Sequence, residues 1–276
     1  MSETSMNEDA QRAALFLSRR LEDGRPRFAV VLGSGLGSIA ASLERASQVP
    51  MQEIPGMLPA SVAGHAGRVC LGWWGRCCVL AFQGRLHLYE GHPVETITLS
   101  VRTAAELGVR DIVLTNAAGS CDGAIPPGSL MRADDLLDLF FRRIRGRVRA
   151  PYVGRGGVLD ADLGGILDEA ARCERIDLRH GVLCGSLGPS YETAAEVRLW
   201  RRLGAGAACM STVPEAFAAR AAGMRVAVVS LITNFGTGLL AGARLDHSEV
   251  VAAAGQAGED LGRLLRRAAA ILCGGS

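Results

Sequence analysis

Five short stretches of this chain carry side chains that could hold an anion beside a polar heterocycle. In Gln83-Gly84-Arg85-Leu86-His87-Leu88-Tyr89-Glu90-Gly91 the residues Arg85, His87 and Tyr89 alternate. An extended backbone would put all three on one side. Arg can grip a phosphate through two parallel hydrogen bonds, and His can join as a donor. Gly33-Ser34-Gly35-Leu36-Gly37 follows an apolar run and is expected to open a helix, with its amides turned toward an anion. Asn116-Ala117-Ala118-Gly119 is small enough to let backbone approach a ligand. Residues 185–215 hold Tyr191 and Glu192 just after a break at Gly188-Pro189, then Met210-Ser211-Thr212 just before Pro214. Pro suits a first helical turn, and Ser or Thr suits the cap ahead of it. Thr233-Asn234 ends a last apolar run, and Asn carries both donor and acceptor for a purine face. Taken singly, each stretch also reads as a tight turn, a solvated strand edge or a helix cap with no ligand.

The elements that must position these groups follow from apolar patterning. Buried strands are expected at 28–32, 69–73, 76–82, 111–115, 180–186, 207–209 and 224–233. The two strands before Gln83 should turn at Trp74-Gly75. Helices are expected at 7–21, after the Gly-rich turn, at 93–107, between Glu192 and the 207–209 strand, after Pro214, and from about Leu245, with Asp246 as its cap. Strands joined by crossover helices, with ligand-type residues at successive strand ends, argue for an α/β fold with a mainly parallel or mixed sheet. No repeat or low-complexity linker appears, so one domain over residues 1–276 is expected.

Composition excludes several function classes. The chain has 276 residues and a formal net charge of only +2, without the clustered basic footprint of a nucleic-acid binder. The basic run 142–149 reads as a solvated loop or an oligomer contact. There is no lysine, so enzyme Schiff-base chemistry and a Walker-type phosphate loop are both ruled out. Any anion must be held by Arg, His, hydroxyls and backbone amides. Gly-x-Gly-x-x-Gly is not completed after Gly33, which argues against a dinucleotide site. The eight cysteines show no zinc spacing. With no signal peptide and no apolar run of membrane length, the expectation is reduced thiols in a cytoplasm, away from membranes.

Gly-Pro-Ser-Tyr-Glu-Thr at 188–193 together with Met-Ser-Thr-Val-Pro-Glu at 210–215 resembles the trimeric, low-molecular-weight purine nucleoside phosphorylases. The Gly-Ser-Gly-Leu-Gly turn and the Gln-Gly-Arg-x-His-x-Tyr-Glu-Gly stretch support the same resemblance, in the same order. It covers residues 28–130 and 180–250. It implies a twisted mixed β-sheet flanked by helices, and reversible phosphorolysis of purine ribonucleosides without metal or organic cofactor, inorganic phosphate being the co-substrate. It gives phosphate to Ser34, His65, Arg85, His87, Ala117 and Ser211, with His65 close to the nucleophile. Ribose falls to Tyr89, Met210 and His247, and the base to Tyr191, Glu192, Thr233 and Asn234. His65, Glu192 and Asn234 are the implied catalytic residues. Asn234 points to inosine and guanosine, because adenine-cleaving relatives usually place Asp there. The implied assembly is a homotrimer. Residues 128–163 depart from the pattern: Asp135-Leu136-Leu137-Asp138 stands where relatives carry Asp-His-Ile-Asn. An aromatic reaching a neighbouring subunit could be Phe140, Phe141 or Tyr152, and 154–157 reads as a lid loop or plain surface. A related phosphorylase of xanthosine or methylthioadenosine, or a purine-binding paralogue without catalysis, are the alternatives.

Overall fold

A computed structural model describes residues 3–20, 24–60, 66–140, 157–240 and 247–274. Nine strands form one mixed sheet: β1 Phe28–Leu32, β2 Glu44–Pro50, β3 Arg68–Trp74, β4 Cys77–Gln83, β5 Asp111–Ser120, β6 Leu130–Asp138, β7 Leu178–Gly185, β8 Ala205–Cys209 and β9 Arg225–Phe235. The helices are α1 Glu3–Arg20, α2 Val94–Ile97, α3 Leu99–Glu106, α4 Ala161–Glu174, α5 Ala194–Arg202, α6 Val213–Ala221 and α7 His247–Leu272. Strand order is β2-β3-β4-β1-β5-β8-β7-β6-β9, and β9 also pairs with β5. The last five strands therefore close into a ring, while β2, β3, β4 and β1 extend from it as an open sheet.

Every residue of β1 is buried, and its side chains alternate between two cores, as strand geometry requires. Ala29 and Val31 join Leu17 of α1, Val101 of α3 and Phe217 of α6. Phe28, Val30 and Leu32 join Leu163 and Leu167 of α4 and Leu261, Leu264 and Leu265 of α7. A strand sandwiched this way reads as a continuous apolar run, which is why Phe-Ala-Val-Val-Leu was legible without a structure.

Several expected boundaries move. The 93–107 helix breaks at Thr98, whose hydroxyl donates to the Val94 carbonyl at 2.8 Å. The β3–β4 hairpin turns at Gly75-Arg76, one residue later than expected, with Gly75 at φ 59°. The Gly-rich turn opens no α-helix but a six-residue 3₁₀ segment, Gly37–Ser42. β5 runs on to Ser120, so Asn116 to Gly119 lie within the strand and not beyond its end. The patterning left β2, β6 and α4 unassigned. Phe140 is buried in its own chain's core at 6% exposure, which removes it as the aromatic reaching a neighbour. Phe141, Tyr152, Asp246 and the 142–149 run lie outside the described residues, as do 154–156 of the expected lid loop. The reduced-thiol expectation is also corrected: Cys77, opening β4, and Cys273, just past α7, are joined as a disulfide with Cα atoms 5.5 Å apart.

Candidate active site

One cavity of about 410 Å³ lies where β1, β4, β5, β8 and β9 end. β1, β4, β5 and β9 run parallel in neighbouring pairs, so their carboxyl ends share one edge. β8 runs antiparallel to β5 and overlaps it only at Gly119↔Ala208 and Ser120↔Ala207. That register carries Met210 and Ser211 back alongside Ala117 and Asn116. Eleven of the expected residues line this cavity: Ser34, Arg85, His87, Tyr89, Ala117, Tyr191, Glu192, Met210, Ser211, Thr233 and Asn234. His65 lies outside the described residues. His247 opens α7, and its side chain is likewise outside the description.

At one end the cavity is built around Arg85, only 4% exposed. Its Nε donates to Glu215 of α6 at 3.1 Å, and its Nη1 to the Thr115 carbonyl at 2.6 Å and to Ser211 Oγ at 3.3 Å. Its Nε and Nη1 are thus engaged by the protein, which the sequence did not indicate. Gly33 makes the approach of β1 to β5 possible, because a Cβ there would sit 2.8 Å from Asn116 Cα. The Gly33 amide donates to Thr115 Oγ1 at 3.3 Å, and that hydroxyl donates to the Val31 carbonyl. The segment beyond the turn is a short 3₁₀ helix, so the α-helix terminus expected there is not formed, and Ser34 lines the cavity.

His87 and Tyr89 do not alternate on a strand as expected. Leu88–Glu90 is a 3₁₀ turn, and its coil stacks the two rings with centroids 4.8 Å apart. Glu90 accepts from the His87 backbone at 2.6 Å and faces its Nδ1 at 3.1 Å. Burial, and then the nearby Arg85 charge, hold the His87 pKa below its usual range, with Glu90 opposing. The ring meets both partners in the turn: the Glu90 carboxylate, which only accepts, and the Glu90 backbone N–H, which donates to the His87 side chain in a capping box.

The other end gathers Glu192, Thr233 and Asn234. Tyr191 and Glu192 sit on the loop between β7 and α5, ahead of the Thr193 cap. Burial raises the Glu192 carboxyl, opposed by its own backbone amide and by Ser186, whose hydroxyl donates to it at 3.1 Å. The β5–β9 register slips between Ala118↔Ile232 and Gly119↔Asn234. This bulge at Thr233 lets two successive residues line one side, where a regular strand would turn one away. Asn234 Nδ2 donates to the Phe235 carbonyl at 3.0 Å, and Oδ1 accepts from Thr233 at 2.9 Å.

The turn after β8 was read as an ordinary cap and is not one. Thr212 is fully buried at φ 64° and ψ −50°, and Val213 N–H donates to the Ser211 carbonyl at 2.6 Å. This is a γ-turn of the strained, positive-φ kind. Asn116 Nδ2 holds it by donating to Thr212 Oγ1 at 3.0 Å. Glu215, Thr212, Asn116 and Glu90 contact or brace the expected site residues, and motif reading gave none of them a place in the site. Only Glu90 had a signal in the sequence, standing three residues from His87.

The phosphorylase superfamily model matches residues 27–270. The chain belongs to that superfamily. Within it, the chain is 37% identical over 251 residues to purine nucleoside phosphorylase 1 of Bacillus subtilis, covering 89% of this chain and 92% of the relative. It is 40% identical over 261 residues to the Mycobacterium tuberculosis purine nucleoside phosphorylase, covering 94% of each. The Schistosoma mansoni purine nucleoside phosphorylase solved with adenosine superposes with a TM-score of 0.83 at 27% identity, covering 95% of this chain and 96% of that one. A phosphorylase of this purine nucleoside group is an enzyme, a pentosyltransferase. Two other cavities lie on the α7 side. Among the described residues no group of three or more His, Cys, Asp or Glu is placed to hold a metal ion, and no helix is long and apolar enough to cross a membrane.

Proposed function

We propose that this phosphorylase cleaves 6-oxopurine ribonucleosides, inosine and guanosine, with inorganic phosphate, giving free base and ribose 1-phosphate. The observation that carries the reading is the polarity of the cavity. One end offers a guanidinium and hydroxyls, the other an acceptor-only carboxylate beside an amide. Phosphate would meet Ser34, Arg85, the Ala117 amide and Ser211. His87 would hydrogen-bond the same anion from the neighbouring turn. His65 is assigned beside the nucleophile from the sequence resemblance alone. Tyr89, Met210 and His247 would contact ribose, and Tyr191 would pack on the base.

The reaction asks little covalent chemistry of the protein. Positive charge develops at C1′ as the glycosidic bond breaks, and the bound phosphate both stabilises and captures it. Holding the anion in place supplies much of the acceleration. Electron density passes to the departing purine, where Asn234 would donate to N7 or O6. Glu192, when ionised, accepts from N1–H of a 6-oxopurine; adenine presents a lone pair there, leaving both groups unpaired. Mismatched polar groups in a buried site discriminate by about 10⁴ or more. Further parts of this reading are a homotrimer, a role in purine salvage, a cytoplasmic setting and no cofactor beyond phosphate.

Steady-state assays with inosine, guanosine and adenosine, each with and without phosphate, test it. Turnover should require phosphate, and kcat/KM for inosine should exceed that for adenosine by at least a hundredfold. Preference for adenosine would reject the assignment of Glu192 and Asn234.

A further inference from the structure

A buried acid on α6 has no part in the reaction just described. Glu215 is 2% exposed, stands in the first turn of α6, and is not among the residues lining the cavity. Helix capping does not account for its burial. Glu196 holds the same place in α5, three residues after the Thr193 cap, and does so exposed to solvent. Removing a carboxylate from water is costly unless a charge partner and hydrogen bonds replace the lost hydration. Here the partner is Arg85, whose Nε meets the carboxylate at 3.1 Å, both side chains being at most 3% exposed.

The pairing fixes a plane. The guanidinium is pinned by α6 through Glu215, by β5 through the Thr115 carbonyl, and by the turn after β8 through Ser211. Through Arg85 the carboxylate reaches that turn at Ser211, and Asn116 Nδ2 holds the next residue by donating to Thr212 Oγ1. Thr212 needs such support, since its positive φ is held against an unfavourable backbone energy.

We infer that Glu215 is a positioning residue for the anion end of the cavity, fixing Arg85 and the Ser211–Thr212 turn as one unit, so that phosphate binding depends on it and nucleoside binding does not. The inference rests on the phosphate reading above. Its carboxylate also offsets the Arg85 charge, so the anion is held by placed hydrogen bonds more than by net attraction.

The experiment uses the full chain and measures KM for phosphate and for inosine separately, with calorimetric titration of inorganic phosphate. Glu215→Asp keeps the charge but withdraws it by one methylene, and Glu215→Gln keeps the reach but not the charge. Either folded variant should show a phosphate KM raised about tenfold, with inosine KM changed less than about twofold. Equal rises in both KM values, or a lowered Tm with both KM values unchanged, would overturn the inference. So would failure of both variants to fold, which would make Glu215 a stability residue. A wild-type enzyme whose turnover ignores phosphate would instead reject the proposed function itself.

Discussion

Glu192 shows how a single residue can tie activity to pH. Its carboxyl is raised chiefly by burial, and the protonated form cannot accept from N1–H. As pH falls through this raised value the working form is lost. The acid limb of kcat/KM for inosine should therefore lie above the ordinary glutamate range. Stability moves the other way for this group. A carboxyl raised in the folded state favours the folded protein as it takes up its proton, so the fall in activity cannot come from Glu192-linked unfolding. Glu192→Gln should abolish that limb and lower kcat/KM across the range. A limb that persists unchanged in the variant would assign it to another group.

At the scale of elements, the site depends on how chain ends are fastened. The capping box at Thr193 and Glu196 starts α5 immediately after Tyr191 and Glu192, with Thr193 N–H donating to Glu196 at 2.7 Å. Losing such a cap loosens the first turn and the loop it anchors. Thr193→Ala should lower Tm by about 2 °C, as expected for a lost cap in a chain of this size. It should raise the inosine KM more than the phosphate KM, because the base end is the end tied to α5. Thermal unfolding and paired KM measurements check both parts. A uniform loss in both substrates would show that the cap serves the whole fold and not the loop.

At the scale of the whole molecule the proposed homotrimer makes a prediction. Leu187, Tyr191, Leu199 and Leu203 are all exposed on the segment from the loop after β7 to the C-cap of α5, and Tyr191 lines the cavity. Apolar side chains gathered there are what a subunit boundary beside the site would use. Sedimentation velocity should find the proposed homotrimer. Leu199→Glu with Leu203→Glu should dissociate it and depress inosine turnover. An active wild-type monomer would contradict this. Cys77 and Cys273 bear on the same scale, since they join the open sheet to the end of α7 across 196 residues of chain.

Local chemistry was legible before any coordinates because it is written in neighbouring residues. The buried strand Phe28–Leu32, the Gly33 turn, the Arg85–His87 pair and the Glu192 loop each declare themselves through side-chain type and spacing. The absence of lysine likewise fixed what could hold an anion. Other features depend on partners far away in sequence. Arg85 was read as a free grip on phosphate, but a carboxylate 130 residues on holds its Nε. Thr212 was read as a cap, but Asn116, 96 residues earlier, holds it in a strained γ-turn. The Thr233 bulge, which turns two successive residues into one cavity, exists only in the register of β9 against β5. Propensity and periodicity report what a segment favours alone; which carboxylate neutralises which cation, and where a strand slips by a residue, is set by packing between segments that the linear order keeps apart.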